Sequence, residues 1–148
     1  RFFSVSKEAT KQLLQAVYCL GFCNCELCLF EKAFYYLNMV KSTGNIHHAM
    51  EYVNVLANSG DLRVFKEIET IVDDVRQQFP DDDDLPEHVQ KLLSFLKRRH
   101  GYSLIEFGKL DEAEKVFKSL LDDPTSQDYA VSELAYIQKL KANESSEA

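Results

Sequence analysis

Apolar residues recur along this chain every three to four positions, in long stretches with few interruptions, which is the spacing of one face of an α-helix. Seven helices are predicted. The first covers about 6–28, with Leu13, Leu14, Val17, Leu20, Gly21 and Asn24 along one side and Ser6 as its N-cap. The second covers about 30–42 and stops at Gly44, a residue that tolerates the left-handed backbone of a helix end. The third begins after Asn45 as cap and ends before Ser59-Gly60. A fourth, capped by Asp61, carries Leu62, Phe65, Ile68, Val72 and Val75 as far as Phe79. Pro80 and the acidic run 81–84 form a loop whose like charges oppose compact structure. Pro86 opens the fifth helix, at a place where its missing N–H costs nothing. The sixth covers about 110–122. Thr125-x2-Asp128 reads as a capping-box-like start for a seventh over 126–142, and the polar tail 143–148 is expected to be flexible.

Within this pattern two stretches share one skeleton. Gly21 is followed twelve residues on by Ala33, and Gly101 twelve residues on by Ala113. Around the first pair stand Val17-x2-Leu20-Gly21-x2-Asn24 and Phe30-Glu31-Lys32-Ala33-x3-Leu37. Around the second stand Lys97-x2-His100-Gly101-x2-Leu104 and Gly108-Lys109-Leu110-Asp111-Glu112-Ala113-x3-Phe117, closed by Pro124. Small residues facing each other let two antiparallel helices pack closely. The skeleton resembles the tetratricopeptide repeat, whose template reads W-x2-L-G-x2-Y, then A-x3-F, then P. Two copies at about 11–43 and 87–124 match, and a degenerate one at 45–79 keeps the turn Gly60-Asp61-Leu62. The departures are specific. Lys97 and His100 replace large apolar residues, Cys28 stands where a turn glycine is usual, and Val53 and Phe65 occupy the two small positions of the middle copy. The middle pair must therefore pack differently. The resemblance implies an all-α, right-handed superhelical stack of three antiparallel helix pairs in a single domain over 1–142, with the seventh helix as end cap.

Composition agrees with helices and narrows function. The chain has 148 residues, 45% of them hydrophobic, with only 5 Gly and 3 Pro. That length suits one domain able to bury about two thirds of its unfolded surface. With 17 basic against 24 acidic residues the net charge is -7, which opposes general nucleic-acid binding. No run of about 18 apolar residues exists to span a membrane. The chain opens on Arg1 without a signal-peptide pattern, as a processed or excised piece would. Its location is expected to be cytoplasmic.

Four cysteines crowd between Cys19 and Cys28. Cys23-x-Cys25-x2-Cys28 suggests a metal or redox site, but a helix spreads these thiols about 100° apart per residue and cannot converge them on one ion. Buried free cysteine packs as a small apolar residue, the reading favoured here, and reduced thiols suit a reducing compartment. His47 and His48 likewise point apart and read as surface or groove residues. The run 81–84 lacks the alternation, central glycine and terminal glutamate of a calcium loop. No phosphate loop, nucleophile elbow or Ser/His/Asp order is present, and the acid pairs Asp73-Asp74 and Asp122-Asp123 read as solvated faces. The chain is read as neither an enzyme nor a cofactor carrier.

In the repeat family the first helix of each pair lines a concave groove. By register, that places Gln15, Tyr18, Phe22 and Cys25, then His47, Met50, Asn54 and Ala57, then Phe95, Arg98, Tyr102 and Ile105 on the groove. The implied partner-binding residues are Tyr18, Phe22, His47, Met50, Asn54, Arg98 and Tyr102. Asn54 and Arg98 suit a carboxylate clamp, but Tyr18 and Phe22 stand where its other polar groups belong. The cluster Lys97-Arg98-Arg99-His100 reads either as a solvated face offsetting the acidic run or as a contact for an acidic partner. The function implied is binding of a peptide or helical segment with an acidic flank. A type III secretion-type chaperone and a sensory or scaffold segment of a larger regulator are the alternatives of the same class; a cysteine-based metal or redox site is the alternative outside it.

Overall fold

Few residues interrupt the helical periodicity, and the interruptions fall between helices. The structure, a computed structural model, describes residues 2–41 and 45–147. Among the described residues stand α1 Phe2–Glu26, α2 Phe30–Val40, α3 Ile46–Asn58, α4 Arg63–Gln78, α5 Glu87–Glu106, α6 Leu110–Ser119 and α7 Gln127–Glu147, with a 3-10 turn at Asp82–Asp84 and no strand. The all-α class is as expected. The stop at Gly44 lies outside the described residues. Contacts divide the chain into two compact units, Arg1–Ser59 and Gly60–Ala148. The division falls inside the expected middle repeat, so α3 belongs to the first unit and α4 to the second.

Several helix ends follow from local chemistry. Asn45 accepts the His47 N–H at 2.9 Å and caps α3. Asp61 accepts the Arg63 N–H at 2.9 Å and also binds its guanidinium, fixing the start of α4. Others differ from expectation. α1 begins at Phe2, which leaves Ser6 inside it and not at its cap. Leu62 precedes α4 and is exposed. The acidic run curls into its 3-10 turn because Asp81 accepts the Asp83 N–H at 3.0 Å and Arg76 pairs with Asp82, relieving the repulsion. At α7 the capping box does not form. Asp123 takes both the N–H and the hydroxyl of Thr125, and the helix starts one step later, after Ser126. It then runs to Glu147, past the expected end near 142.

The two Gly/Ala skeletons build two hairpins of the same design, α1–α2 and α5–α6. Ala33 and Ala113 are fully buried, as are Leu37 and Phe117 one turn further on. A Cβ placed on Gly21 would lie 2.5 Å from Leu37, and one on Gly101 2.5 Å from Phe117. Each large side chain thus lies on the bare backbone of a glycine in the helix opposite. The turns match as well. Leu29 N–H bonds Asn24 C=O at 2.8 Å, and Lys109 N–H bonds Leu104 C=O at 2.8 Å. Both are six-to-one Schellman closures, which need a left-handed residue just before the donor. Gly108 supplies it with φ 75°, and Cys28 adopts it with φ 59° despite its side chain.

Beyond its hairpin, the first unit adds α3, which buries Tyr52, Val53 and Leu56. Lys41 lies 4.7 Å over the Tyr52 ring, and Phe34 lies 5.6 Å from the same ring. In the second unit α7 covers the hairpin, as a cap should. Its Ala130 and Ile137 join Leu104, Ala113, Phe117 and Leu120 in one core, with Leu134 and Leu140 alongside. Lys141 pins the far end of α7 to Asp111 at 2.7 Å and Glu114 at 2.5 Å. Hydrogen bonds from Lys118 and then Lys141 hold the Glu114 carboxyl down to about 2. Phe65, at a position reserved for a small residue in the repeat, packs within its own unit, 5.7 Å from His100 and 5.4 Å from Phe107. That contact also fills the place where His100 replaces a large apolar residue.

Candidate functional site

Each unit presents a face of its own. In the first, α1 is devoid of charge from Gln12 to Cys25, and its aromatic side chains pack against other rings. Tyr18 stacks on His48 of α3 at 4.7 Å and 25°, and meets Phe22, one turn along, at 6.3 Å. Phe22, at the end of this run, is 40% exposed. On α3, His47 is exposed, Met50 and Asn54 are half-buried, and the Asn54 amide donates to Glu51 at 3.4 Å. The structure thus brings Tyr18 and Phe22 together, with His48 as the stacking partner. His48 is buried, which corrects its expected surface position. Burial lowers its pKa, against a backbone bond to Val40 that raises it, so the ring is a neutral platform. Burial first, then the charge of Glu51, raises the Tyr18 hydroxyl.

Glu51 is the residue that sequence reasoning missed on this face. It also acts on Cys25, whose thiol burial and then Glu51 push up to about 11. At neutral pH that thiol stays protonated and is a poor nucleophile or ligand. The packing role expected of the cysteines belongs to Cys25 alone, because Cys19, Cys23 and Cys28 are exposed. Cys19 and Cys23 lie on the outer side of α1, since one helix can bury only one side, and Cys28 lies in the turn that follows it. Among the described residues no group of three or more His, Cys, Asp or Glu side chains is placed to hold a metal ion.

In the second unit the cluster Lys97-Arg98-Arg99-His100 is dispersed around α5 by the helical turn. Lys97 is exposed. Arg98 donates to Ser126 at the start of α7, at 2.6 Å. Arg99 lies 5.3 Å over the Tyr102 ring and 6.0 Å from that of Phe95. Its charge also opposes the burial that raises the Glu133 pKa. His100 packs edge-on against Phe65, and burial lowers its pKa. Beside them Ser94 donates to Asp123 at 2.5 Å. Burial works to raise the Asp123 pKa, but bonds from Ser94, Thr125 and Ser126 outweigh it and leave the carboxyl below its usual value. Asp123 is therefore a structural acceptor and not part of a solvated acid pair.

Of the register positions, Phe95, Ile105, Ala57 and Cys25 are buried and serve packing, while Gln15 is exposed and Tyr102 half-buried. Glu133 was missed on this face. Its signal was faint: Arg99 stands in the basic cluster already singled out, but Glu133 lies on a helix with no place in the repeat template. A depression beside α7 is lined by Gly108, Leu110, Asp111, Lys141, Glu144 and Ser145. Its lysine already binds Asp111 and Glu114, which leaves no chemistry to assign. Among the described residues no helix is long and apolar enough to cross a membrane. Comparison of the chain with protein-family models, with curated proteins and with solved structures finds no match.

Proposed function

We propose that this chain is a non-catalytic protein-binding module of helical-repeat type, its hairpins stacked in a right-handed tetratricopeptide-like superhelix, which takes a peptide or helical segment of a partner. The observation that carries this reading is the aromatic run Phe22–Tyr18–His48 on the α1/α3 face of the first unit, open at Phe22. Aromatic rings offer large rigid contact area at little entropic cost, which is why they recur among binding hot spots. Met50 and His47 widen the surface, and Asn54 with Glu51 adds hydrogen-bonding groups at its edge. The equality of the two hairpins in contact and turn supports a repeat architecture. Exposed Cys19, Cys23 and Cys28 suit a reducing, cytoplasmic setting. Arg98 could orient an acidic flank only by giving up its bond to Ser126, so the aromatic face is the better anchor.

Selection of binding peptides on the folded chain, followed by titration of variants, tests this. Phe22→Ala and Tyr18→Ala should each weaken binding by about 2 kcal/mol, roughly thirtyfold. Arg98→Glu should act less, and through stability as well as affinity. Unchanged affinity in both aromatic variants, with helicity intact, would remove the face from consideration.

A further inference from the structure

The side of α1 turned away from α2 and α3 carries a second pattern. Ala9, Leu13, Ala16, Leu20, Cys23 and Leu27 follow one another at alternating four- and three-residue steps, the seam spacing of paired helices. At 100° per residue they occupy an arc of roughly 80°, and they run for about 27 Å. All six are exposed, with Leu13 at 62%, Leu20 at 47% and Leu27 at 69%. The leucines occupy one seam position throughout, and the small residues the other. Leu20 lies about 160° around the helix from Phe22, so this stripe is distinct from the aromatic face.

We propose that two copies of this chain associate through α1, antiparallel about a two-fold axis crossing the middle of this stripe. Three observations support a second copy, and the first of them selects the orientation. First, antiparallel pairing sets each leucine against a small residue of the other copy: Leu27 on Ala9, Leu13 on Cys23, Leu20 on Ala16. Every layer then has equal width. Parallel pairing would alternate leucine on leucine with alanine on alanine and leave gaps between layers. Second, no charge interrupts Gln12 to Cys25, so two chains of net charge -7 meet without ionic repulsion in the contact. Third, the exposed Glu26 at one end of the stripe falls opposite exposed Gln12 and near Lys11 of the other copy, so the one carboxylate at the edge of the contact meets a positive charge. The same geometry places Cys19 of each copy beside the axis, next to its counterpart, and separates the two Cys23 thiols. A seam one helix wide falls short of the roughly 800 Å² per partner of tight interfaces, so the dimer is a reversible one.

Sedimentation equilibrium of the whole chain over a range of concentrations reads this directly. A monomer–dimer equilibrium is expected, strengthened by salt, which screens the net charge. Leu20→Glu, which adds a carboxylate close to the axis in each copy, should raise the dissociation constant at least tenfold with helicity unchanged; Ala16→Glu does the same if Leu20→Glu fails to fold. A bismaleimide linker should then couple chains whose only exposed thiol is Cys19 (Cys23→Ser, Cys28→Ser). It should spare those retaining Cys23 alone (Cys19→Ser, Cys28→Ser). A monomer at every concentration, a dimer indifferent to both glutamates, or coupling through Cys23 in preference to Cys19 would each overturn the proposal.

Discussion

The hairpins α1–α2 and α5–α6 share a frame and differ in almost everything hung on it. Both lay a large buried side chain on a bare glycine backbone, and both close by the same Schellman bonds. One uses Leu37 and a strained Cys28, the other Phe117 and an unstrained Gly108. Outside the contact, α1 offers a charge-free stretch from Gln12 to Cys25, while α5 is bound to its own unit by Arg98 and Ser94. What makes the hairpin is therefore a handful of positions: a glycine, an alanine, a large apolar residue and a left-handed turn. The remaining positions are available for function or for ties within the unit.

The deepest test of that equivalence is overpacking. Gly101→Leu should cost on the order of 1–3 kcal/mol in urea unfolding, and Gly21→Leu a similar amount, because neither buried partner can retreat. Trimming Phe117 to alanine should partly relieve Gly101→Leu, since residues in contact do not act additively. A mild effect in one hairpin alone would mean that the two contacts are not equivalent.

At the turns the two hairpins should respond in opposite directions. Cys28→Gly removes the Cβ penalty at φ 59° and should stabilise the first by about 1 kcal/mol. Gly108→Ala introduces the same penalty, with no clash nearby, and should destabilise the second by about as much. Thermal melts of the two variants against the parent decide this. If Cys28→Gly destabilises, the thiol makes contacts that outweigh the strain.

A smaller effect concerns protons. His48 in the first unit and His100 in the second both sit below the ordinary value of 6.5, chiefly through burial. Between that value and their folded values the unfolded chain binds more protons, so stability falls as pH drops from 6.5 and is fully present above it. Melts at pH 7.5 and 5.5 should show the loss, and His100→Leu should make the difference smaller. A pH dependence unchanged by that substitution would place the coupling elsewhere.

How much of this could be read from the residues alone depends on the distance over which each feature is decided. Gly21, Ala33, Gly101 and Ala113 were legible because spacing along two adjacent helices sets which residues face each other. Asn45 was legible because a cap acts within two residues. The Thr125 box failed because Asp123, just upstream, competes for the same groups. The face of α1 was misjudged for a related reason. Leu13 and Leu20 share a side with Val17 and Asn24 by spacing, yet only the inner part of that side has a partner helix. Arg98 could not be placed at all, since Ser126 lies on another element 28 residues away. The aromatic face was half-visible: Tyr18 and Phe22 follow from helical spacing, while the His48 stack depends on how α3 docks on α1.

The left-handed Cys28 has a consequence for chemical labelling. An exposed thiol on a backbone held by a closing hydrogen bond projects from the end of α1 with few torsions of its own. A probe attached there would ride on the hairpin with little independent swing. It would report rotation of α1–α2 as a body, which a glycine at the same corner, as in α5–α6, could not offer.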